Sequence, residues 1–268
     1  MGDFAEDTAV VPGAAHRYVG RISDAWEIWG PNGGYVAALA LRAAGMESPF
    51  SRPASFFCHY LRSARFAEVD IEVRTLRQGH SSCSQQIEMC QDGSPVLEGS
   101  VWSVSSSDGL EHHDVVAPRV PGPDQLPTFD RAGVGVPDFR FWDNLESRRP
   151  PTPSPEKAAI WRSWLRLRPR DTFEDPWIDA ARSIVFLDIQ GWPAASAAHG
   201  DQASRFVAPS LDLYVAFHES APADPWLLAD GYCPIGADGL LGWTGRLWSS
   251  QGQLVASGSG QALCRRLH

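Results

Sequence analysis

Between residues 67 and 78 the chain reads AEVDIEVRTLRQ, with Val69, Ile71 and Val73 alternating against Asp70, Glu72 and Arg74. A period of two puts one side of a strand on a core and the other in water, so this segment predicts a half-buried antiparallel strand. Strand-like runs flank it: ASFFCHYLR (54–62) before, HSSCSQQIEMCQ (80–91) and SPVLEGSVWSVS (94–105) after. Asp92-Gly93 joins the last two as a hairpin signal. Ahead of all four lies GPNGGYVAALALRAAGM (30–46), where Arg42 is the only charge. Its breakers Pro31, Gly33 and Gly34 and its terminal Gly45 bound a buried, alanine-rich helix that a sheet can approach closely. Two short extended pieces, HRYVGRIS (16–23) and WEIW (26–29), precede the helix. A helix followed by a meander predicts an α+β unit with one curled sheet.

The second half repeats this outline. AIWRSWLRLR (159–168) predicts a strand, and Asp175 and Pro176 form an N-cap and first-turn pair for a helix through WIDAARSIVFLDI (177–189). Strands follow in PSLDLYVAFH, PWLLADGYC, GLLGWTGRLWSS and QLVASGSGQALCRR. ASFFCHYL corresponds to PSLDLYVAF, which sets Phe57 against Asp212, and CQDGSPVLEGS corresponds to SSQGQLVASGS. An internal duplication is expected, with an N-terminal module over 1–114, a connector over 115–156 and a C-terminal module over 157–268. The connector is crowded by Pro118, Pro121, Pro123, Pro127, Pro150, Pro151, Pro153 and Pro155. Its aromatics Phe139, Phe141 and Trp142 predict that it packs on the surface as an ordered wrap.

Composition narrows the function. With 43% hydrophobic and 21% charged residues, the 268-residue chain is an ordinary globular protein. A net charge of -9 and a pI near 5.3 repel phosphate backbones, so no nucleic-acid partner is expected. The five cysteines (Cys58, Cys83, Cys90, Cys233, Cys264) are odd in number and form no C-x-x-C pair, which argues against a disulfide framework or zinc site and fits a reducing compartment. The N-terminus is acidic where a secretory signal is basic, no apolar run approaches about 18 residues, and Glu6 stands where myristoylation needs Ser or Thr. A cytoplasmic protein without a membrane span is the expectation.

Some motifs fail on context. GHSSC (79–83) has Cys83 where a nucleophile elbow needs its second glycine, and no helix follows. His112 and His113 are adjacent, so their side chains diverge. GVGVPD (133–138) lacks the third glycine and the preceding strand of a dinucleotide site. The start of the first helix is more informative. Unpaired N–H groups at GPNGGY could hold an oxyanion or a thioester carbonyl, whereas the plainer reading is that Gly33 and Gly34 turn the chain sharply into the helix. Asp212 lies inside an apolar run, and burying a carboxylate is unfavourable unless something uses or satisfies it. Against that, Leu211, Leu213, Val215 and Phe217 form one strand face, which leaves Asp212, Tyr214 and His218 looking outward. Asp188, in IVFLDIQGW, is a second misplaced acid, with a helix-capping or packing role near Pro193 expected.

Taken together, GPNGGYVAALAL, the strand ending in YLR, TLRQG and the segment through CQDGSPVLEGSVW resemble the N-terminal hotdog of the acyl-CoA thioesterase II family. PSLDLYVAFHESAPADPWLL through GRLWSSQGQLVAS resembles its C-terminal hotdog. The resemblance implies two tandem hotdog modules, each a long central helix wrapped by a curved antiparallel sheet. It also implies hydrolysis of acyl-CoA thioesters by a water held between an Asp, a Ser or Thr, and a Gln. Asp212 takes the first role, and Gln261 the last if one residue of slippage is allowed. The hydroxyl member is absent, since GYCPIG puts Cys233 or Pro234 in its place. Asn32, Gly33, Gly34 and Tyr35 are the expected substrate-binding residues, with oxyanion donors at Gly33 and Gly34 and the acyl chain in an apolar tunnel beside the helices. The partner is an acyl-CoA or acyl-carrier thioester, no cofactor or metal is needed, and a homo-oligomer is compatible with the pattern. The alternative is a noncatalytic acyl-thioester binding or assembly protein. A hotdog dehydratase would need a His and Asp pair near the helix, and no histidine is placed for it.

Overall fold

The computed structural model describes residues 1–130, 138–151 and 158–267. All of GVGVPD except Asp138, together with Pro153 and Pro155 of the connector and Lys157 at the start of the expected C-terminal module, lies outside the described residues.

The chain opens with a short helix α1 (Phe4–Asp7) and strands β1 (Val10–Pro12) and β2 (Arg17–Arg21). Helix α2 (Gly33–Glu47) begins where Asn32 accepts the Tyr35 N–H at 2.9 Å, and every residue from Gly34 to Leu41 is buried. Its burial on all sides follows from the near absence of charge in its sequence. Strands β3 (Arg52–Tyr60), β4 (Glu68–Gln78), β5 (Ser82–Gln91) and β6 (Ser94–Val104) follow. In β4, Val69, Ile71 and Val73 are buried and Asp70, Glu72 and Arg74 exposed, as the alternation predicts. Asp92 and Gly93 both take positive φ, 49° and 70°, in the two-residue turn between β5 and β6.

The second half runs β7 (Leu145–Arg148), β8 (Ile160–Leu167), helices α3 (Pro176–Asp188) and α4 (Gly191–His199), then β9 (Phe206–Val207), β10 (Asp212–Phe217), β11 (Leu227–Ala237), β12 (Leu240–Ser249), β13 (Leu254–Leu263) and β14 (Arg265–Arg266). Asp175 caps α3 by accepting the Trp177 N–H at 2.8 Å. Strands β9 and β14 pair apart from the rest. The others form one twelve-stranded antiparallel sheet in the order β1-β2-β4-β5-β6-β3-β10-β13-β12-β11-β8-β7. The order reads the same way outward from its centre, with β3, β6, β5, β4 on one side and β10, β13, β12, β11 on the other. At the centre Cys58 faces Leu213, while His59 faces Asp212 and Phe57 faces Tyr214. Exchanging β3 for β10 about the Cys58–Leu213 pair carries Phe57 onto Asp212, which is the correspondence drawn from the sequence. Helices α2 and α3 pack together, and no helix among the described residues is long and apolar enough to cross a membrane.

Two stretches depart from the pattern. WEIW is not an extended piece: Asp24–Trp26 form a single 3₁₀ turn, and only Glu27 bridges, to Pro31. The Trp26 ring decides this, because it is fully buried and stacks on Tyr35 at 5.1 Å. The connector packs through its aromatics and does more than wrap the surface: it supplies β7 to the edge of the main sheet, after a 3₁₀ segment Arg140–Asn144 whose Phe141 is buried 6.0 Å from Trp26. Helix α4, which the sequence pattern did not anticipate, packs over β8, β11 and β12.

Glu146 holds the connector strand. Its side chain is 3% exposed and accepts hydrogen bonds from Arg148 at 2.9 Å, Arg168 at 2.6 Å and Arg166. Arg148 and Arg166 lie over the Trp226 ring. Burial raises the Glu146 pKa, but the hydrogen bonds from Arg168, Arg166 and Arg148 outweigh it and bring the group from 4.5 down to about 2. A depressed carboxylate stabilises the fold fully above its unfolded pKa, and that contribution is lost as pH falls through the folded one. Glu146→Gln is therefore expected to melt about 5 °C below the parent at pH 7, from a loss of about 2 kcal/mol. The value sits below that of a fully buried pair because the arginines keep access to water. Thermal melts from pH 6 to pH 2.5 should show the gap shrinking below pH 4.5; a constant gap would mean that the charge is not what docks the strand.

Candidate active site

The start of α2 meets the end of α3 and the beginning of β10. Gly33 and Gly34 take no positive φ, so backbone freedom is not what glycine provides here. Close approach is: a Cβ on Gly34 would come within 2.9 Å of the Val185 Cα, and one on Gly33 within 3.2 Å of Asp188 Oδ2 and of the Tyr60 ring. Glycine at these two positions lets the helices touch and leaves a narrow crevice, too tight for a Cβ, at the first turn of α2.

Asp188 enters that crevice from the last residue of α3. Its Oδ2 accepts the Gly34 N–H at 2.8 Å and faces Asn32 Nδ2 at 3.5 Å, and its Oδ1 accepts the Ser210 hydroxyl at 2.9 Å. Burial raises its pKa, opposed by the hydrogen bonds from Ser210, Gly34 and Asn32. A carboxylate is favoured at a helix N-terminus and disfavoured at a helix C-terminus, so α2 is what stabilises this charge. The capping role expected for Asp188 is real, but it is exercised on the opposite helix rather than near Pro193. The α4 start, at Gln190, has no side-chain cap.

Ser210 reaches Asp188 because the strand is irregular there. Tyr214 pairs with Ser259, a register that would set Leu211 against Ala262, yet Ser210 is the residue bridged to Ala262. The extra residue is a bulge, a device that re-aims side chains. It turns Ser210 inward and leaves Asp212 on the outer side. Asp212 Oδ1 then accepts the Gln261 N–H at 2.9 Å, and the Leu211 N–H donates to the Gln261 carbonyl at 2.7 Å. The structure thus brings Asp212 and Gln261 together on adjacent strands. The Asp212 carboxylate is half-buried and the Gln261 side chain exposed.

Cys233 does not join them. It lies on β11, and β13 and β12 intervene, which at about 4.8 Å per strand separates the backbones by roughly 14 Å. Its buried thiol belongs to the core beneath α4 and borders an open groove of about 1090 Å³ that Asp188, Asp212 and Gln261 do not line. Burial raises its pKa.

Of the expected substrate-binding residues, Asn32 and Tyr35 have their side chains engaged within the fold. Asn32 caps α2, and the buried Tyr35 hydroxyl donates to the Asp7 carbonyl at 2.7 Å and accepts the Ser23 N–H. Gly34 has its N–H committed to Asp188, whereas the Gly33 N–H makes no hydrogen bond among the described residues. Tyr60 carries no signal in the sequence that marks it for the site. It ends β3 on the same face as the buried Phe56 and Cys58, its N–H bonds the Leu211 carbonyl at 2.9 Å, and its ring lies over Gly33. Only the strand-to-strand register at the sheet centre brings it there.

A large antiparallel sheet with the paired helices α2 and α3 against it makes this a hotdog-like α+β fold. Residues 22–104 match the acyl-CoA thioesterase N-terminal domain and residues 115–263 the acyl-CoA thioesterase C-terminal domain. The chain belongs to the acyl-CoA thioesterase family and is a thioester hydrolase by that membership. Among solved structures it is similar to the acyl-CoA thioesterase II TesB2 of Mycobacterium marinum, at 23% identity over 99% of both chains with a TM-score of 0.84. It is likewise similar to the TesB protein of Mycobacterium avium subspecies paratuberculosis, at 21% identity over 98% of both chains and a TM-score of 0.81. The dehydratase domain of PpsC from Mycobacterium tuberculosis shares the fold more distantly, at 12% identity, 97% coverage of both chains and a TM-score of 0.59.

Proposed function

We propose that the chain is a tandem double hotdog that hydrolyses acyl-CoA or a related acyl thioester, using a water held by Asp212 and Gln261. The carbonyl oxygen lies at the start of α2. The observation that carries this reading is the pairing of Asp212 with Gln261 on adjacent strands, with the Asp212 charge felt at the Tyr60 hydroxyl that lies over Gly33. A carboxylate that accepts the water's proton and an amide that orients the water are what thioester hydrolysis needs beside oxyanion donors. With the Gly34 N–H held by Asp188, the Gly33 N–H is the helix donor left for the oxyanion. The mirrored strand order about the Cys58–Leu213 pair supports two hotdog modules. The five cysteines are all free thiols, which fits a reducing cytoplasm.

Release of free thiol from a panel of acyl-CoA substrates of increasing chain length tests the reading. Sustained turnover is expected, and Gln261→Ala should slow it about tenfold, less than loss of the base, because the amide orients water without taking its proton. Saturable acyl-CoA binding with no thiol release across the panel would make the chain a binder instead.

A further inference from the structure

The Tyr60 hydroxyl is buried and meets no oxygen or nitrogen partner among the described residues, its hydrogen-bonding neighbour being the Cys58 thiol. Such a group destabilises a fold, and phenylalanine would fill the same space without it. Its polar neighbours are the Cys58 thiol, a weak acceptor, and the carboxylates of Asp188 and Asp212. Asp188, whose oxygens receive Gly34, Ser210 and Asn32, makes no hydrogen bond with it. A Cβ on Gly33 would stand 3.2 Å from Asp188 Oδ2 and 3.3 Å from the Tyr60 hydroxyl, so glycine leaves only a narrow gap there, which any side chain would close. The unpaired Gly33 N–H borders the same space. Two donors without an oxygen or nitrogen acceptor therefore meet at the N-terminus of a fifteen-residue helix, beside the strand that carries Asp212.

We propose that the Tyr60 hydroxyl and the Gly33 N–H together hold the carbonyl oxygen of the acyl thioester. This rests on the thioesterase reading above. In the reaction the water oxygen bonds to the acyl carbon while the carbonyl oxygen gains negative charge against these two donors. The water proton passes to Asp212. The C–S bond then breaks, the sulfur leaves with the bonding pair and takes that proton, and the products are the carboxylic acid and the free thiol. Tyr60 keeps its own proton throughout: burial first, and then the charges of Asp188 and Asp212, hold its pKa well above the usual phenol value. Asp188 is a positioning residue, tying the start of α2 to β10 through Gly34 and Ser210 so that the Gly33 N–H points into the crevice.

Tyr60→Phe tests the proposal in the full chain. On an acyl-CoA that the parent hydrolyses, kcat is expected to fall about 10²- to 10³-fold with KM within about twofold, as for loss of one oxyanion donor. The melting temperature should be unchanged or raised, because a hydroxyl without an oxygen or nitrogen partner has been removed. A kcat within twofold of the parent overturns the proposal. Should the variant be poorly folded, the carbonyl stretch of a bound acyl-CoA ketone analogue decides the matter in the parent alone. It is expected to shift to lower frequency than in water, and an unshifted band overturns the contact. A parent that binds the analogue with a shifted band yet releases no thiol from any acyl-CoA would instead remove the hydrolytic reading.

Discussion

Asp212→Asn is expected to lower kcat by about 10²- to 10⁴-fold, the usual effect of losing a positioned general base, while leaving the melting temperature within a degree or two of the parent. The substitution suits the question because asparagine keeps an oxygen where Asp212 Oδ1 now accepts the Gln261 N–H at 2.9 Å. The bulge at Leu211 should therefore survive, and only the charge and its proton affinity are lost. Asp212→Ala removes the acceptor as well, but Gln261 is exposed and its N–H can turn to water, so the added loss of stability should be small. Phe57, the residue related to Asp212 across the sheet centre, makes a useful contrast. It is half-buried against His59 with ring centroids 4.7 Å apart, and substituting it should affect stability more than rate. Hydrolysis by purified Asp212→Asn at the parental rate would reduce Asp212 to a bulge acceptor and leave Asp188 as the acid to test next.

Asp179→Ala should have the largest effect on stability, about 3–5 kcal/mol, because it would leave the Arg182 guanidinium buried without its counter-ion. Arg182 is fully buried on α3 and bonds Asp179, the Asp224 carbonyl at 2.8 Å, the Asp171 carbonyl at 3.0 Å and the Ala221 carbonyl at 3.1 Å. Asp179 also accepts the Ala221 N–H at 3.2 Å, so the pair fastens the loop before β11 to the helix that carries Asp188. A melting temperature lower by about 10 °C follows for a domain of this size. Adding Arg182→Met to the variant should recover much of the loss, since the buried charge is then gone. If Asp179→Ala alone melts within 2 °C of the parent, the carbonyls suffice to hold the guanidinium.

The two predictions differ in how far the sequence could have led to them. Asp212 is conspicuous in PSLDLYVAF, because an acid in an apolar run needs a reason. Asp179 in WIDAARSIV reads as an ordinary first-turn acid, and its partner Arg182 as a solvent-facing residue, until the loop from Ala221 to Asp224 is folded over them. Tyr60 looks like the end of a strand and no more.

Short-range physics is what the residue order controls directly. The alternation of Val69, Ile71 and Val73 with charges made β4; side-chain caps from Asn32 and Asp175 started the two long helices; Asp92-Gly93 closed the hairpin. These depend on neighbours a few residues away, and so they are written locally. Which acid entered the crevice was settled by the assembled fold. Asp188 meets Gly34 across 154 positions of chain, Asp212 meets Gln261 because β10 and β13 pair in that register, and Tyr60 covers Gly33 only because β3 and β10 join at Cys58 and Leu213. Cys233, placed beside the site by motif, was kept from it by the two strands that separate β11 from β10. Strand order and register are set by the packing of whole faces, and no local pattern carries them.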